Sequence, residues 1–313
     1  MKIGITGGQG FIGQWTIDEL LNRGHEVIIL DHKQRNPYRD DPRVDYLWGD
    51  VRDDVIMLEL AAHVDGIIHL AAVLGTQETI GDPRPAAITN ITGGLNFLHA
   101  LHRYDLPGVY ICVGNHWMNN PYSITKTTVE RFVHMYRTEH HTAVNQVRAV
   151  NAYGPRQQAA PPYGAGKVRK ITPAFICRAL NGDPIEVYGD GQQISDMVYI
   201  ADLANTLSDA LEHAANGNTH EHVLECGPRQ HHTVLQIAEL VRDTAAHITG
   251  HTVPITHLPM RPGEIPGDTV TANPDTLTRA GIPEPATTVE DGITRTVNWY
   301  HEHRDHWHPP HNV

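Results

Sequence analysis

The sequence predicts an α/β protein: a doubly wound parallel sheet carrying a smaller C-terminal α/β lobe. Three observations lead there. Short β-branched runs alternate with stretches of helical period through the first half, a glycine-rich turn follows the first run, and the pattern changes near residue 152. Strand-helix alternation puts strands side by side in parallel with helices over both faces. The 313 residues suffice for one large or two modest domains with a substantial core.

In chain order, residues 3–6, 26–30, 66–70, 109–113 and 143–148 read as buried strands, and 15–23, 86–102 and 123–139 as amphipathic helices. A Pro/Gly-rich stretch, 155–166, then interrupts the alternation, and later helices at 200–213, 233–248 and 289–301 are separated by turn-rich segments. The expected division is a first domain over 1–151, to which roughly 186–205 returns, and a second lobe over 152–313. A His-rich tail fills 301–313.

There are 24 Lys and Arg against 36 Asp and Glu, a formal charge of −12, beside 23 His. A net-acidic chain without a basic block repels phosphate backbones and anionic membranes, so neither nucleic acid nor lipid is an expected partner. No stretch has the roughly 18 apolar residues of a membrane span. Cys112, Cys177 and Cys226 are too few and scattered for a disulfide framework or a zinc site, which points to a reducing cytoplasm and no bound metal.

The turn after the first strand reads Gly7-Gly8-Gln9-Gly10-Phe11-Ile12-Gly13 and opens a helix. Such glycines serve a tight turn, close approach of backbone to a pyrophosphate, and helix packing, while the helix N-terminus offers amides and positive dipole. Asp31 ends the next strand, eighteen residues past Gly13, where a carboxylate accepts hydrogen bonds from an adenosine ribose. The combination predicts a Rossmann-type dinucleotide site and favours NAD over NADP, although nearby Arg35 is a group suited to a 2′-phosphate. Further on, Asn120-Pro121 precedes Tyr122-Ser-Ile-Thr-Lys126. Asn is a good N-cap and Pro suits the first turn, so Tyr122 and Lys126 share a helix face one turn apart. An ammonium beside a phenol, joined by an oxidised nicotinamide, favours the phenolate and makes a base.

With these residues in place, the chain resembles the extended short-chain dehydrogenase/reductase family, specifically its NAD-dependent nucleotide-sugar epimerases and dehydratases. The likeness runs over nearly the whole chain: Thr6 to Gly13, Gly49-Asp50-Val51-Arg52-Asp53, His69-Leu-Ala-Ala72, Asn90 with Gly93, Tyr122 with Lys126, Asn151-Ala-Tyr-Gly-Pro155, Tyr188-Gly-Asp-Gly191, Asp196 through Asp202, and Arg261-Pro-Gly-Glu264. The resemblance implies that NAD is held by Gly7, Gly10, Phe11, Ile12, Gly13, Asp31, His32, Asp50, Val51, Leu70, Ala71, Ala72, Asn90, Tyr122 and Lys126. It implies that Asn151 and Arg261 hold a sugar-nucleotide diphosphate; Thr76, Lys170 and Gln193 are further candidate substrate contacts. It also implies a homodimer formed through the 86–102 helix and the helix carrying Tyr122.

Two departures from the family pattern bear on chemistry. The family places a Ser/Thr-rich motif after its fifth strand. Here Gly114-Asn115-His116-Trp117-Met118-Asn119-Asn120-Pro121 leads directly to Tyr122 with no hydroxyl between. Asn115, His116 or a threonine of the 76–79 loop can donate the missing hydrogen bond, and Cys112 occupies the motif's first position. Secondly, Ser195 stands where the family has Arg before Asp196. Lys167, Arg169 and Lys170 supply replacement cations or form a solvated loop. The expected activity is 4-epimerisation of a UDP-hexose or UDP-hexuronate through a transient 4-keto sugar, because dehydratases carry an Asp-Glu pair where this chain has Asn115-His116. A 4,6-dehydratase, with His116 as lone acid or base, and a catalytically impaired dinucleotide-sensing scaffold are the alternatives.

Overall fold

The computed structural model describes residues 1–33, 37–38, 40–261, 267 and 269–307. Arg35, residues 262–264 of the Arg261 motif and 308–313 of the His-rich tail lie outside them. The main sheet is seven parallel strands: β1 (Lys2–Thr6), β2 (Glu26–Asp31), β3 (Val44–Trp48), β4 (Gly66–His69), β5 (Gly108–Cys112), β6 (Val144–Ala149) and, far along the chain, Leu224–Cys226 beside β6. From β1 the order runs to β2 and β3 on one side and to β4, β5 and β6 on the other. The winding reverses between β1 and β4, and in open parallel sheets ligands bind in the crevice beyond the carboxyl ends at this reversal.

β1, β2, β4 and β5 are near-continuous buried runs because both faces are covered, whereas the edge strand β3 exposes Asp45 and Trp48. On one face α1 (Phe11–Asn22) packs with Ile3, Ile5 and Val27, and on the other Phe97, Leu101, Val129 and Val133 close over Ile67 and Tyr110. That second layer comprises α2 (Asp54–Ala61), a short lead-in α3 (Arg84–Ala86) continued by a π-helical segment (Ala87–Thr92) into α4 (Gly93–Tyr104), and α5 (Pro121–His140). Asn120 caps α5, its side chain accepting from the Ser123 N–H at 2.9 Å. No helix among the described residues is long and apolar enough to cross a membrane.

After β7 (Asn151–Tyr153) come α6 (Ile171–Asn181), β8 (Ile185–Tyr188), β9 (Ile194–Ser195), β10 (Met197–Tyr199), α7 (Ile200–Ala215) and β11, the Leu224–Cys226 strand. Then follow α8 (Val234–Thr249), β12 (Ile255–Leu258), β13 (Thr269–Val270), α9 (Asp275–Ala280) and α10 (Val289–Glu302). A second core joins α6, α8 and α10 through Phe175, Ile176, Ile237, Val241, Ile293 and Val297. Of the segment expected to return over 186–205, β8 stays in the second lobe paired with β12, whereas α7 packs against α1 and β6. β11, inside the span assigned to the lobe, is a strand of the main sheet. The helix expected over 86–102 is interrupted by the π-helical segment. Within the described part of the tail, Trp307 is buried, stacks edge-on against Tyr163 and donates from Nε1 to the Tyr300 carbonyl at 2.9 Å.

Candidate active site

At the carboxyl ends of β1 to β4 stand the residues expected to hold the dinucleotide. Gly7 adopts φ +71°, and a Cβ there would lie 2.8 Å from the Ala71 nitrogen. A Cβ on Gly13 would meet the Gly7 carbonyl oxygen and Gly8 Cα at 2.6 Å. Gly10 is the N-cap of α1, with no side-chain cap and no acidic residue in the first turn, so the amides of Phe11 and Ile12 face outward unopposed. Bare backbone at a helix start is the cradle a pyrophosphate needs, and the chain's own residues fit NAD. Asp31 is buried and accepts from the Gln9 N–H and the Lys33 N–H, both at 3.0 Å, while His32 Nδ1 lies 3.6 Å from its carboxylate. Asp50 is paired with Arg52, which holds its carboxyl below the usual range. Val51 is buried, and its carbonyl accepts from Asn96.

Thr6 ties the switch point together. Its hydroxyl accepts from the Leu70 and Ala71 amides at 3.2 and 3.3 Å and meets His69 Nδ1 at 2.9 Å. Burial, then the Lys126 charge, hold His69 well below an ordinary imidazole, so it is a neutral member of the core, stacked on Phe97. Asn90 is buried in the π-helical segment. Its amide accepts from the Val73 N–H and donates to the Val73 carbonyl and to Thr125 Oγ1, so it ties the loop after β4 to α5 and both its donors are spent on protein. The interruption of the expected helix thus falls at Asn90, beside the candidate site, and π-helical turns within α-helices are frequent at functional sites.

A cleft of about 300 Å³ opens from this edge toward the second lobe. Phe11 and Ile12 line it, as do Thr76, Asn115 and Tyr122, and from the far side Asn151, Lys170, Gln193 and Arg261. Of the three candidates for the missing hydroxyl, Asn115 and Thr76 are therefore in the cleft and His116 is outside its lining. His116 is exposed, its ring edge-on to Trp117 and its carbonyl accepting from Thr127. Asn115 Oδ1 accepts from Ser123 Oγ at 3.2 Å, which turns Nδ2 toward Thr76 Oγ1, 3.5 Å away, and Met118 Sδ at 3.1 Å. Gly114 passes so close to β6 that a Cβ would lie 3.0 Å from the Ala149 carbonyl oxygen.

Tyr122 and Lys126 share a face of α5, as their spacing predicts, but their protonation differs from expectation. Burial, then Glu130 and Cys112, push the Tyr122 phenol up to about 12. Burial pulls the Lys126 ammonium down to about 8, against opposing pulls from Cys112 and Glu130, and its Nζ sits 3.9 Å from the centre of the Tyr110 ring. The chain's own groups therefore hold Tyr122 as a proton donor. Across the cleft Asn151 Nδ2 donates to Ser195 Oγ at 2.8 Å, so the serine standing in place of the family's arginine serves the asparagine. Arg169 lines the cleft but is engaged with Glu186, whereas Lys170 is an exposed residue whose ammonium is held below its usual value by partial loss of hydration and by Arg261, with Glu78 opposing. Lys167 is outside the lining. Among the lining residues not expected as substrate contacts are Glu78 and Tyr188. Glu78 lies on an irregular loop with no periodicity to flag it. Tyr188, named in the sequence only as the start of the Tyr188-Gly-Asp-Gly191 motif, has its ring 5.2 Å from the Arg169 guanidinium and 5.0 Å from that of Arg261.

A sequence model of the NAD dependent epimerase/dehydratase family matches residues 3–227. The chain belongs to that family. This epimerase/dehydratase-family chain is 28% identical to the low-salt glycan biosynthesis protein Agl12 of Haloferax volcanii over 96% of its own length and 98% of the relative's. It is 27% identical to the UDP-N-acetyl-alpha-D-glucosaminuronate decarboxylase of Bacillus cytotoxicus, covering 95% and 97%. Among solved structures it resembles the UDP-glucose 4-epimerase of Thermus thermophilus in complex with NAD, with a TM-score of 0.80 and 26% identity over 96% and 99% of the two chains. The family enzyme is NAD-dependent, and its Rossmann-type sheet is that of its structural relatives.

Proposed function

We propose that the chain is a nucleotide-sugar 4-epimerase that acts on a UDP-hexose or UDP-hexuronate through a transient 4-keto sugar. The observation that carries this reading is the convergence of Tyr122, Asn115 and Thr76 in one cleft that adjoins the glycine cradle and reaches Lys170 and Arg261. Relatives named for UDP-sugar epimerisation and decarboxylation support the substrate class. NAD, when bound, supplies a hydride acceptor and donor and, in its oxidised form, a positive charge that favours the phenolate. Gly7, Gly10 and Gly13 with the first amides of α1 hold its pyrophosphate, and Asp31 accepts from its ribose.

The chain's own work is proton transfer and orientation. Tyr122 Oη takes the proton from the sugar C4 hydroxyl and returns it, and its high intrinsic pKa suits it to the return step. Lys126 lies one turn below as the balancing cation. Asn115 Nδ2, or Thr76 Oγ1 beside it, donates to the C4 oxygen as charge develops there. Arg261 and Lys170 face the diphosphate, for which the planar guanidinium is well matched, and Asn151 and Gln193 add polar contacts. A homodimer through α4 and α5 belongs to the same reading, supported by exposed Tyr104 and Ile124 on those helices.

A second reading has a specific observation behind it. Glu78 brings into the cleft a carboxylate that the loop after β5 lacks, and an acid or base beside C5 and C6 is what a 4,6-dehydratase requires. Incubation with a panel of nucleotide sugars, followed by mass spectrometry and NMR, separates the outcomes. An epimer keeps its mass, dehydration loses one water, and decarboxylation loses carbon dioxide. Interconversion without added cofactor, abolished in Tyr122→Phe with NAD still bound, is the expected result. Full turnover by Tyr122→Phe would sink the mechanism.

A further inference from the structure

β5 ends at Cys112, and the loop that carries Asn115 begins two residues later. Between them stands Val113, whose backbone groups are taken by two charged side chains. Its N–H donates to Glu130 Oε1 at 3.3 Å, and its carbonyl accepts from Arg148 Nε at 3.2 Å. Glu130 and Arg148 are themselves paired at 2.7 Å, with 8% and 12% of their side chains exposed, and Arg148 reaches on to Glu225 on β11 at 3.1 Å. A buried ion pair of this kind is a poor way to gain stability, because desolvation cancels most of its attraction. Its placement supplies a different reason for it. Glu130 follows Lys126 by one helical turn and Tyr122 by two, on the same face of α5.

We propose that Glu130 and Arg148 form a clamp on Val113 that holds the start of the Asn115 loop in register with Tyr122 and balances the charge beneath Tyr122 and Lys126. They are positioning residues, touching neither sugar nor cofactor, and the proposal rests on the reading of Tyr122 and Lys126 given above. The charged and titratable groups around Tyr122, Lys126 and the clamp are Glu130 on α5, Tyr110 and Cys112 on β5, His116 on the loop after β5, Arg148 on β6, Glu225 on β11 and His69 on β4. Glu130 supports the proton on both Tyr122 and Lys126, and Arg148 offsets that charge.

The test pairs activity with a readout independent of turnover. The ¹³C resonance of Lys126, assigned through Lys126→Met, is titrated by NMR alongside pH profiles of kcat/KM for wild type, Glu130→Gln, Arg148→Met, the double variant and Arg148→Lys. Glu130→Gln is expected to lower the Lys126 midpoint and shift the acid limb of the profile down. Arg148→Met, where it folds, raises both, because it leaves Glu130 unopposed. The double variant, neutral at both positions, returns the midpoint close to wild type while kcat stays about ten-fold low with KM little changed, since the Val113 carbonyl is no longer held. Arg148→Lys keeps the charge and loses the fork, so it restores the midpoint without restoring kcat. Exchange of the Val113 amide hydrogen quickens in the double variant. Unchanged midpoints, shifts of one sign in both single variants, or wild-type kcat in the double variant would overturn the clamp. If wild type turns over no nucleotide sugar, the functional reading fails, and the midpoints and Val113 exchange still decide the clamp.

Discussion

Replacing Asn115 with alanine should lower kcat and kcat/KM together by about two to three orders of magnitude. The reasoning starts from the way its amide is held. Ser123 fixes Oδ1, and the two groups nearest Nδ2 are a hydroxyl at 3.5 Å and a thioether sulfur, both weak partners, so the donor is available to an incoming oxygen. A preorganised donor aimed at developing negative charge contributes roughly 2.7–4 kcal/mol to the barrier, and about 1.4 kcal/mol is ten-fold in rate. If the amide serves only to brace the loop, its removal forfeits neutral hydrogen bonds at about 1 kcal/mol each, appears in the melting temperature, and changes kcat by less than about ten-fold. Steady-state kinetics on the sugar identified by the panel, with thermal melts in parallel, distinguish the two. Asn115→Ser, which restores a hydroxyl, should retain more activity than Asn115→Ala. The reasoning is refuted if Asn115→Ala keeps kcat within five-fold while Thr76→Val loses a hundred-fold, an outcome that hands the role to Thr76.

Further predictions concern the scaffold. Gly13→Ala should cost at least ten-fold in NAD affinity, because its Cβ would sit 2.6 Å from backbone atoms of Gly7 and Gly8, which have no flexible side chain to give way; fluorescence titration with unchanged affinity would contradict this. Lys126 has a folded-state pKa of about 8 against 10.5 when unfolded. Below pH 8 it carries a buried charge that opposes folding, and stability rises between pH 8 and 10.5 as that charge is shed, by about 3 kcal/mol. Tyr122 acts in the next window, its raised value making stability fall as pH climbs from 10 to 12. Denaturant melts of wild type and Lys126→Met should show the rise in wild type alone, and a wild-type curve flat from pH 8 to 10 argues against the buried ammonium. Asn120→Ala removes the cap of α5 at a cost of about 1 kcal/mol, expected as a drop of about 2 °C in melting temperature together with a lower kcat, since Tyr122 occupies the first turn.

The cofactor half of the protein was legible because its signals are local. A glycine turn between β1 and α1 and a carboxylate at the end of β2 announce themselves within a span of thirty residues. The second lobe was harder, because its pairings are distant. β8 finds β12 only after some seventy intervening residues, and α6 begins directly after a Pro/Gly-rich stretch that masks its start. β3 and α2 were missed for a different reason: both are short, and the exposed Asp45, Trp48 and Val55 blur their periodicity. Within the site, Tyr122 and Lys126 could be placed from helix spacing alone. The choice between Asn115 and His116 could not, because it turns on which way one peptide unit faces. The upward shift of Tyr122 is set first by burial and reinforced by Glu130, eight residues away, and no spacing rule reveals the packing behind either.

The position of β11 at the end of the main sheet also bears on how the chain is made. The outer edge of β6 stays unpaired until residues 224–226 have been synthesised, 77 residues after Ala149. At about 5–20 residues per second, a nascent chain presents that edge for about 4–15 s. An open strand edge is a template for pairing with another chain. Truncation between residues 150 and 223 would make the exposure permanent, so the dinucleotide half of this protein is a poor candidate for expression by itself unless residues through Cys226 are included.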